Sequence, residues 1–311
     1  MKKHLPDKIL VSILRILQKA GFSVSEIASE DYCFEVVAKK GDQKLLIKTS
    51  ENIDNERKES ADDLKSMAAA YSAAPLVIGS RAHSGVVERG ILYERYGVNV
   101  MSPETFSEAM LEGQLPSLYS KRGGLYFRID GAYLRHLREG HGESLGGLAK
   151  RVGVSRKAVY EYENCLMGAT PDTVAKIEDV FETGITCGID IFEWRPDDAI
   201  PNRSPSGPVA RELHGKLKEM GCKPIIFNHA PVDLHAKNMG VSFIANEKGP
   251  LDRRVDEAVA LGKLLEVEPV LVTETSRPRD IDITVVRLDD VKKIESLKAM
   301  ERLLDLENTG C

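Results

Sequence analysis

The side chains that most often carry catalysis are present in this chain, but they do not stand at catalytic spacings. The five cysteines include no C-x-x-C pair. The sequence also lacks a P-loop and the G-x-G-x-x-G, H-E-x-x-H and G-x-S-x-G motifs. We therefore predict no catalytic residue, no metal site and no cofactor, and we expect that the chain is not an enzyme. The histidines that we interpret as surface or packing residues are His83, His214, His229 and His235.

The segment Asp130–Gly184 carries a different signal, the caps and the spacing of four consecutive helices. Asp130, Ser144 and Ser155 can each cap one helix, and Thr170 with a following proline can start the fourth. A glycine at 153 permits the left-handed backbone of a tight turn. Apolar residues at helical spacing predict a shared core, and they are Leu134, Leu137, Leu148, Ala149, Val152, Val159, Tyr162, Val174, Ile177 and Phe181.

The string LAKRVGVSRKAVYEYEN in this segment resembles the Cro/repressor-like (XRE-type) helix-turn-helix family. Ala149, Gly153 and Val159 fall together in the register of that family, in which two helices cross closely. The whole chain also resembles archaeal helix-turn-helix transcriptional regulators, in which such a module lies between two other segments. The resemblance implies a transcriptional regulator that binds specific sequences of double-stranded DNA, as a homodimer, with its third helix in the major groove.

Family positions assign roles to individual residues. Arg156, Lys157 and Glu161 fall on the base-facing side of the third helix, where Arg and Lys can donate to guanine and Glu can accept from cytosine. The helix caps place backbone N–H groups near phosphates. Basic residues that could contact phosphate, or could equally form a solvated face, are Lys121, Arg122, Lys150 and Arg151. The complete predicted DNA-binding set is Ser144, Leu145, Lys150, Ser155, Arg156, Lys157, Tyr160 and Glu161.

Arg138 and Glu163 occupy family positions that hold a partly buried ion pair between the first and third helices, so we predict a structural role for them. The segment departs from the family at Leu145, where a polar residue is usual, at Gly146-Gly147 and at Cys165. It also holds seven basic and nine acidic residues between 130 and 184. These departures lower the expected DNA affinity and make reading of two half-sites by a dimer more necessary.

Proline and glycine clusters divide the chain into blocks. We expect an α/β domain over 1–112, a linker or basic arm over 113–129, the DNA-binding domain over 130–194, a proline-rich linker over 195–208, and a second α/β domain over 209–311. The order of elements in the last block repeats that of the first. The predicted fold class is thus α/β plus all-α, with a central four- to five-helix Cro/repressor-like module flanked by two similar α/β units.

The first α/β block resembles the restriction-endonuclease-like fold, whose members hold Mg²⁺ with an acid on one strand and a D/E-x-K on the next. Glu35 could be the acid and Lys48 the lysine, but Leu46 stands in place of the second carboxylate. We therefore interpret both blocks as degenerate, non-catalytic units for dimerisation or for sensing a small-molecule or protein effector. The main alternative is a DNA-structure-specific nuclease, active or degenerate, that docks through the helix-turn-helix. A second alternative is a protein-interaction module.

The composition limits partners and compartment. The chain has 311 residues and a formal net charge of −5, so DNA contact requires a local basic surface. An odd number of cysteines in a long chain fits reduced thiols. With no targeting signal and no long apolar run, we expect a cytoplasmic protein without a membrane partner.

Overall fold

Backbone contacts divide the chain into two compact units, each assembled from separate stretches of sequence. The computed structural model describes residues 8–27, 29, 31–83, 85–195, 203–246, 251–274 and 283–304. The first unit takes in 1–16, 50–55 and 77–191, and the second takes in 17–49, 56–76 and 192–311. Half of the predicted proline-rich linker, including Pro196 and Pro201, lies outside the described residues, as does Cys311. The division into three blocks that we inferred from the sequence stays a prediction.

Both units contain helices and strands. The helices are α1 Lys8–Lys19, α2 Lys58–Tyr71, α3 Pro103–Ser107, α4 Gly131–Gly140, α5 Leu145–Val152, α6 Arg156–Glu163, α7 Pro171–Phe181, α8 Pro208–Glu219, α9 Leu251–Leu265, α10 Leu288–Lys293 and α11 Leu297–Leu303. The strands are β1 Ser23–Glu26, β2 Val36–Lys40, β3 Gln43–Asn52, β4 Ala74–Ala82, β5 Gly85–Val86, β6 Ile91–Arg95, β7 Val98–Met101, β8 Leu118–Lys121, β9 Gly124–Phe127, β10 Ile225–Ile226, β11 Leu234–Ala236, β12 Val241–Ala245, β13 Glu268–Thr273 and β14 Thr284–Arg287.

Nine of the strands belong to a mixed sheet. Within the first unit the strand order is β4-β7-β6-β8-β9, and the short β5 pairs with β4. β6 pairs antiparallel with β7 and parallel with β8, and β8 and β9 form an antiparallel hairpin. Within the second unit β1, β2 and β3 follow one another in antiparallel order. β2 and β3 form a hairpin that turns at Gly41, where φ is 58°.

The second unit also contains a five-stranded sheet in the order β10-β11-β12-β13-β14. Its central strands β12 and β13 pair in parallel. All five residues of β12 are buried, and so are the last five of β13, as expected for strands covered on both faces. Leu213 and Leu217 of α8 pack in the same core as Phe243 and Val270 of this sheet. No helix among the described residues combines the length and the apolar composition needed to cross a membrane.

The predicted fold class, α/β plus all-α with a central helical module between two similar units, is wrong. The extended mixed sheet dominates the structure and fits a nuclease-like α/β fold. The error has a physical source in residues 113–129. We predicted a linker or basic arm there because of its glycines and charges, but the segment folds into β8 and β9, and β8 pairs in parallel with the distant β6.

Candidate DNA-binding site

Four helices in the first unit, α4 to α7, begin at the caps that the sequence predicts. Asp130 and Ser144 accept hydrogen bonds from the backbone N–H groups three residues further on, each at 2.9 Å. Ser155 does the same for α6 at 3.0 Å, and Thr170 for α7 at 3.4 Å. Gly153 ends α5 with φ of 78°, in the left-handed region that the tight turn requires. The positions of these four helices are confirmed.

A small apolar core joins the four helices. Because it lies between α4, α5, α6 and α7, it fixes the direction in which α6 presents its outer face. Its buried residues are Ile129, Leu134, Leu148, Ala149, Val152, Val159, Tyr162, Ala169, Val174, Ile177, Phe181 and Ile185. Gly131 shows how closely two of the helices approach. A Cβ at this position would lie 2.6 Å from the carbonyl oxygens of Tyr162 and Glu163 at the end of α6.

The structure brings Arg138 of α4 and Glu163 of α6 together. Nε of the arginine lies 2.5 Å from Oε1 of Glu163, and Nη2 lies 3.0 Å from Oε2. Both residues are buried, with 8% and 6% of their surfaces exposed. The hydrogen bonds that Arg138 donates to Glu163 raise the pKa of Arg138. The guanidinium also donates to the Glu143 carbonyl at 2.9 Å, so it joins α4 both to α6 and to the loop before α5.

The start of α6 presents a polar outer face. Ser155, Arg156 and Lys157 are exposed, and Tyr160 has 52% of its surface exposed. Glu161 is half-buried, and its Oε1 lies 3.6 Å from Lys157 Nζ. Arg156 makes no hydrogen bond or ion pair through its side chain with any other residue that the structure describes. The outer face of α6 therefore presents the hydrogen-bond donors of Arg156 and Lys157 and the acceptor of Glu161, and these side chains take no part in packing the apolar core.

Two other predicted contact residues lie on α5. Lys150 is exposed and stands on the outer surface of the helix. Leu145 follows the cap Ser144, but it is half-buried and packs against the apolar core. The structure therefore places Leu145 in a packing role, and its side chain does not reach outward as a polar residue at this position would.

The hairpin of β8 and β9 is fastened to the helical segment by backbone hydrogen bonds. Phe127 and Ala169 exchange two of them, at 2.8 and 3.1 Å, and the Asp130 N–H donates to the Ile185 carbonyl at 2.9 Å. Lys121 and Arg122 lie exposed at the tip of the hairpin. These backbone bonds join the end of the hairpin to the start of α7 and connect the start of α4 to the residues after α7.

The nuclease-like residues lie in the second unit. Glu35 accepts hydrogen bonds from Lys48 Nζ at 2.8 Å and from the Thr49 backbone N–H at 2.9 Å. Leu46, in the position of the second carboxylate, is fully buried in the core. Among the described residues, no three His, Cys, Asp or Glu side chains lie close enough together to hold a metal ion.

Sequence reasoning missed the buried acid Asp63 in this unit. Asp63 of α2 is fully buried and accepts hydrogen bonds from Arg203 Nη1 at 2.5 Å and from the His229 backbone N–H at 3.1 Å. Its Oδ2 also lies 2.6 Å from His229 Nδ1. The available signal was its spacing, because Asp63 stands four residues before Met67, on the apolar side of the helix.

Comparison with known proteins gives two kinds of match. Three relatives share the printed name "Putative HTH-type transcriptional regulatory protein". The relative from Thermococcus gammatolerans is 30% identical over 96% of this chain and 96% of its own length. The relative from Methanocaldococcus jannaschii is 31% identical over 95% and 98%, and that from Archaeoglobus fulgidus is 31% identical over 95% and 96%. No solved structure matches.

The second match is to a PD-(D/E)XK superfamily domain, which covers residues 6–116. This superfamily is typically one of nucleases, so the match contradicts the prediction that the chain is not an enzyme. It also supports the correction of the fold class, because the matched residues form much of the mixed sheet.

Proposed function

Because this chain belongs to the family of archaeal proteins that carry this regulatory name, we propose that it binds specific sequences of double-stranded DNA as a transcriptional regulator. In the proposal α6 enters the major groove as the recognition helix, as in Cro/repressor-like proteins. The observation that carries it is the outer face of α6, where Arg156 and Lys157 stand exposed directly after the Ser155 cap.

The chemistry of this face suits readout of base edges. Arg156 has its whole guanidinium available for two parallel hydrogen bonds to guanine O6 and N7. Lys157 and Glu161 form only a long ion pair with each other, at 3.6 Å. On DNA this pair can separate, so that Lys157 donates to a guanine and Glu161 accepts from a cytosine. Backbone N–H groups at the starts of α5 and α6, beside Ser144 and Ser155, would hold phosphates. Lys150 and Tyr160 would contact the DNA backbone.

Dimer formation is part of the proposal. One helix of eight residues supplies few base contacts, and the segment around it has more acidic than basic residues. Two copies would read half-sites about 34–36 Å apart, one turn of DNA, and thereby double the contacts.

The experiment is a selection of genomic fragments by the purified full chain, at two salt concentrations. The wild type is compared with Arg156→Ala/Lys157→Ala and with Lys176→Ala, which removes an exposed charge from α7. We expect the wild type and the Lys176 variant to enrich the same palindromic site, and the double variant to lose it. If the wild type enriches no site, or if the double variant enriches the same site equally well, the proposed reading by α6 is wrong.

Nuclease activity is the second candidate, favoured by the superfamily match and by the contact between Glu35 and Lys48. Its test is cleavage of linear and branched DNA in Mg²⁺ or Mn²⁺, with Lys48→Ala beside Lys40→Ala, an exposed lysine of the same hairpin. Cleavage that is lost only with Lys48→Ala would establish the nuclease. Cleavage that both variants retain would exclude this residue pair as its site.

A further inference from the structure

The first unit contains a cavity that the proposed DNA reading does not use. It lies beside β6, β7 and β8 and has a volume of about 730 Å³. This volume falls within the range of roughly 300–1,000 Å³ that is usual for sites of small molecules. Its polar and aromatic walls are formed by Tyr93, Arg95, Asn99, Tyr119, Lys121 and Arg122.

The charge of the walls favours an anion. Three cationic side chains face the cavity, against the single carboxylate of Glu94. Asp54 accepts hydrogen bonds from Arg95 Nε at 3.2 Å and Nη2 at 2.9 Å, and the Glu94 carbonyl accepts one from Nη1 at 3.1 Å. One N–H on each of the two terminal nitrogens of this guanidinium stays available to a ligand. Lys121 and Arg122 make no ion pair with any residue that the structure describes. Phosphate is the anion that such a set of Arg and Lys donors binds well.

The aromatic walls favour a planar group beside the anion. Tyr93 and Tyr119 are half-buried and line the same cavity, with Leu92 and Ile189 as apolar neighbours. Tyr119 is held in place, since its ring lies 6.0 Å from that of Tyr126 and its phenol oxygen lies against Gly168, where a Cβ would come within 2.2 Å of it. Fixed aromatic faces bind nucleobases by stacking.

We propose that this cavity binds a mononucleotide, with the phosphates on Lys121, Arg122 and Arg95 and the base against Tyr93 and Tyr119. The contact between Tyr119 and Gly168 joins the cavity to the loop that connects α6 to α7. A nucleotide bound here is therefore placed to act as the effector of the helical segment. Binding itself does not depend on the proposed DNA reading.

The test is calorimetric titration of the full chain with ATP, tripolyphosphate and adenosine. We expect ATP to bind at least tenfold more tightly than either fragment, because only ATP fills both parts of the cavity. Lys121→Ala/Arg122→Ala should weaken ATP binding at least tenfold, and these exposed turn residues are replaced without loss of packing. The matched control is Lys176→Ala/Lys223→Ala, which removes two exposed charges elsewhere and should leave the Kd unchanged.

Three results would overturn the proposal. Absence of ATP binding at millimolar concentration would exclude the site, and equal binding of tripolyphosphate and ATP would exclude the nucleotide as its ligand. Unchanged ATP binding in the Lys121/Arg122 variant would place any bound nucleotide elsewhere. The DNA selection is read independently, so failure of either experiment leaves the other interpretable.

Discussion

Arg138 and Glu163 form the ion pair on which the position of α6 depends. Replacing Glu163 with alanine leaves the buried guanidinium without its counterion, and loss of one partner of a buried pair costs about 3–5 kcal/mol. We expect the free energy of unfolding of the Glu163→Ala variant, measured with urea, to fall by about this amount. The control is Arg135→Ala, because Arg135 is more exposed and its contacts with Glu163 are longer, from Nε to Oε2 and from Nη2 to the carbonyl oxygen, each at 3.4 Å. A loss as large as that of Glu163→Ala in this control would contradict the interpretation.

Asp54, in the same unit, should make the stability of the fold depend on pH. The His83 backbone N–H, the His83 side chain and Arg95 lower the pKa of Asp54 to about 2. A carboxylate with a depressed pKa stabilises the folded state above its ordinary pKa of about 4, and this stabilisation is lost as pH falls towards 2. Asp54→Asn should therefore lower stability at pH 7, by roughly 1 kcal/mol after allowance for screening of this partly exposed group. Acid titrations should show that the variant loses less stability between pH 4 and pH 2 than the wild type does.

At the scale of single residues, the sequence predicted what local chemistry determines. Ser144 and Ser155 cap their helices because a hydroxyl can reach an N–H three residues on, and this needs no distant partner. Asp63 and Tyr119 were missed because their surroundings come from distant segments. The partner His229 of Asp63 is far away in sequence, and the cavity at Tyr119 exists only once β6, β7 and β8 are paired.

Helix α5 provides a test at the scale of an element, because it contains two consecutive glycines. A Cβ at Gly146 would meet only Ser144 Oγ, at 4.0 Å, so alanine fits there. Alanine is favoured over glycine in a helix by up to about 1 kcal/mol. We expect Gly146→Ala to raise the midpoint of thermal unfolding, measured by circular dichroism. A lowered midpoint would contradict this prediction and would show that the fold requires glycine at position 146.

The opposite outcome is expected for Gly131, at the start of α4. Its Cβ would lie 2.6 Å from two backbone carbonyl oxygens of α6, which cannot move aside as a flexible side chain can. Gly131→Ala should therefore lower the unfolding midpoint, and it should weaken DNA binding if α6 is displaced. An unchanged midpoint would show that α4 and α6 can separate at little cost.

The hairpin of β8 and β9 explains why one element could not be predicted. Each strand has only four residues, and most of them are half-buried, so no alternation of apolar and polar residues marks them. Lys121 to Gly124 have the composition of a linker. The segment is ordered by pairing with β6 and by the exchange of hydrogen bonds between Phe127 and Ala169, which are long-range contacts.

For the whole molecule, the predicted fold class failed for the same reason. Each compact unit gathers separated stretches of chain. Which strands share a sheet depends on pairings between distant segments, and the residues of one strand do not determine which other strand pairs with it.

The net charge of −5 gives a last prediction at this scale. Since the whole molecule repels DNA, salt dependence must come from single cations at the interface. Lys150→Ala removes a proposed phosphate contact, so it should weaken binding to all sequences and lower the slope of log K against log salt by about 1 per protomer. Arg156→Ala should instead lose about 1–3 kcal/mol of discrimination at one base pair of each half-site. Binding titrations at several salt concentrations, with the selected site and with single-base variants of it, separate the two effects. If Arg156→Ala, like Lys150→Ala, weakens binding to all sequences equally, then α6 contacts DNA through its charge and does not read the sequence.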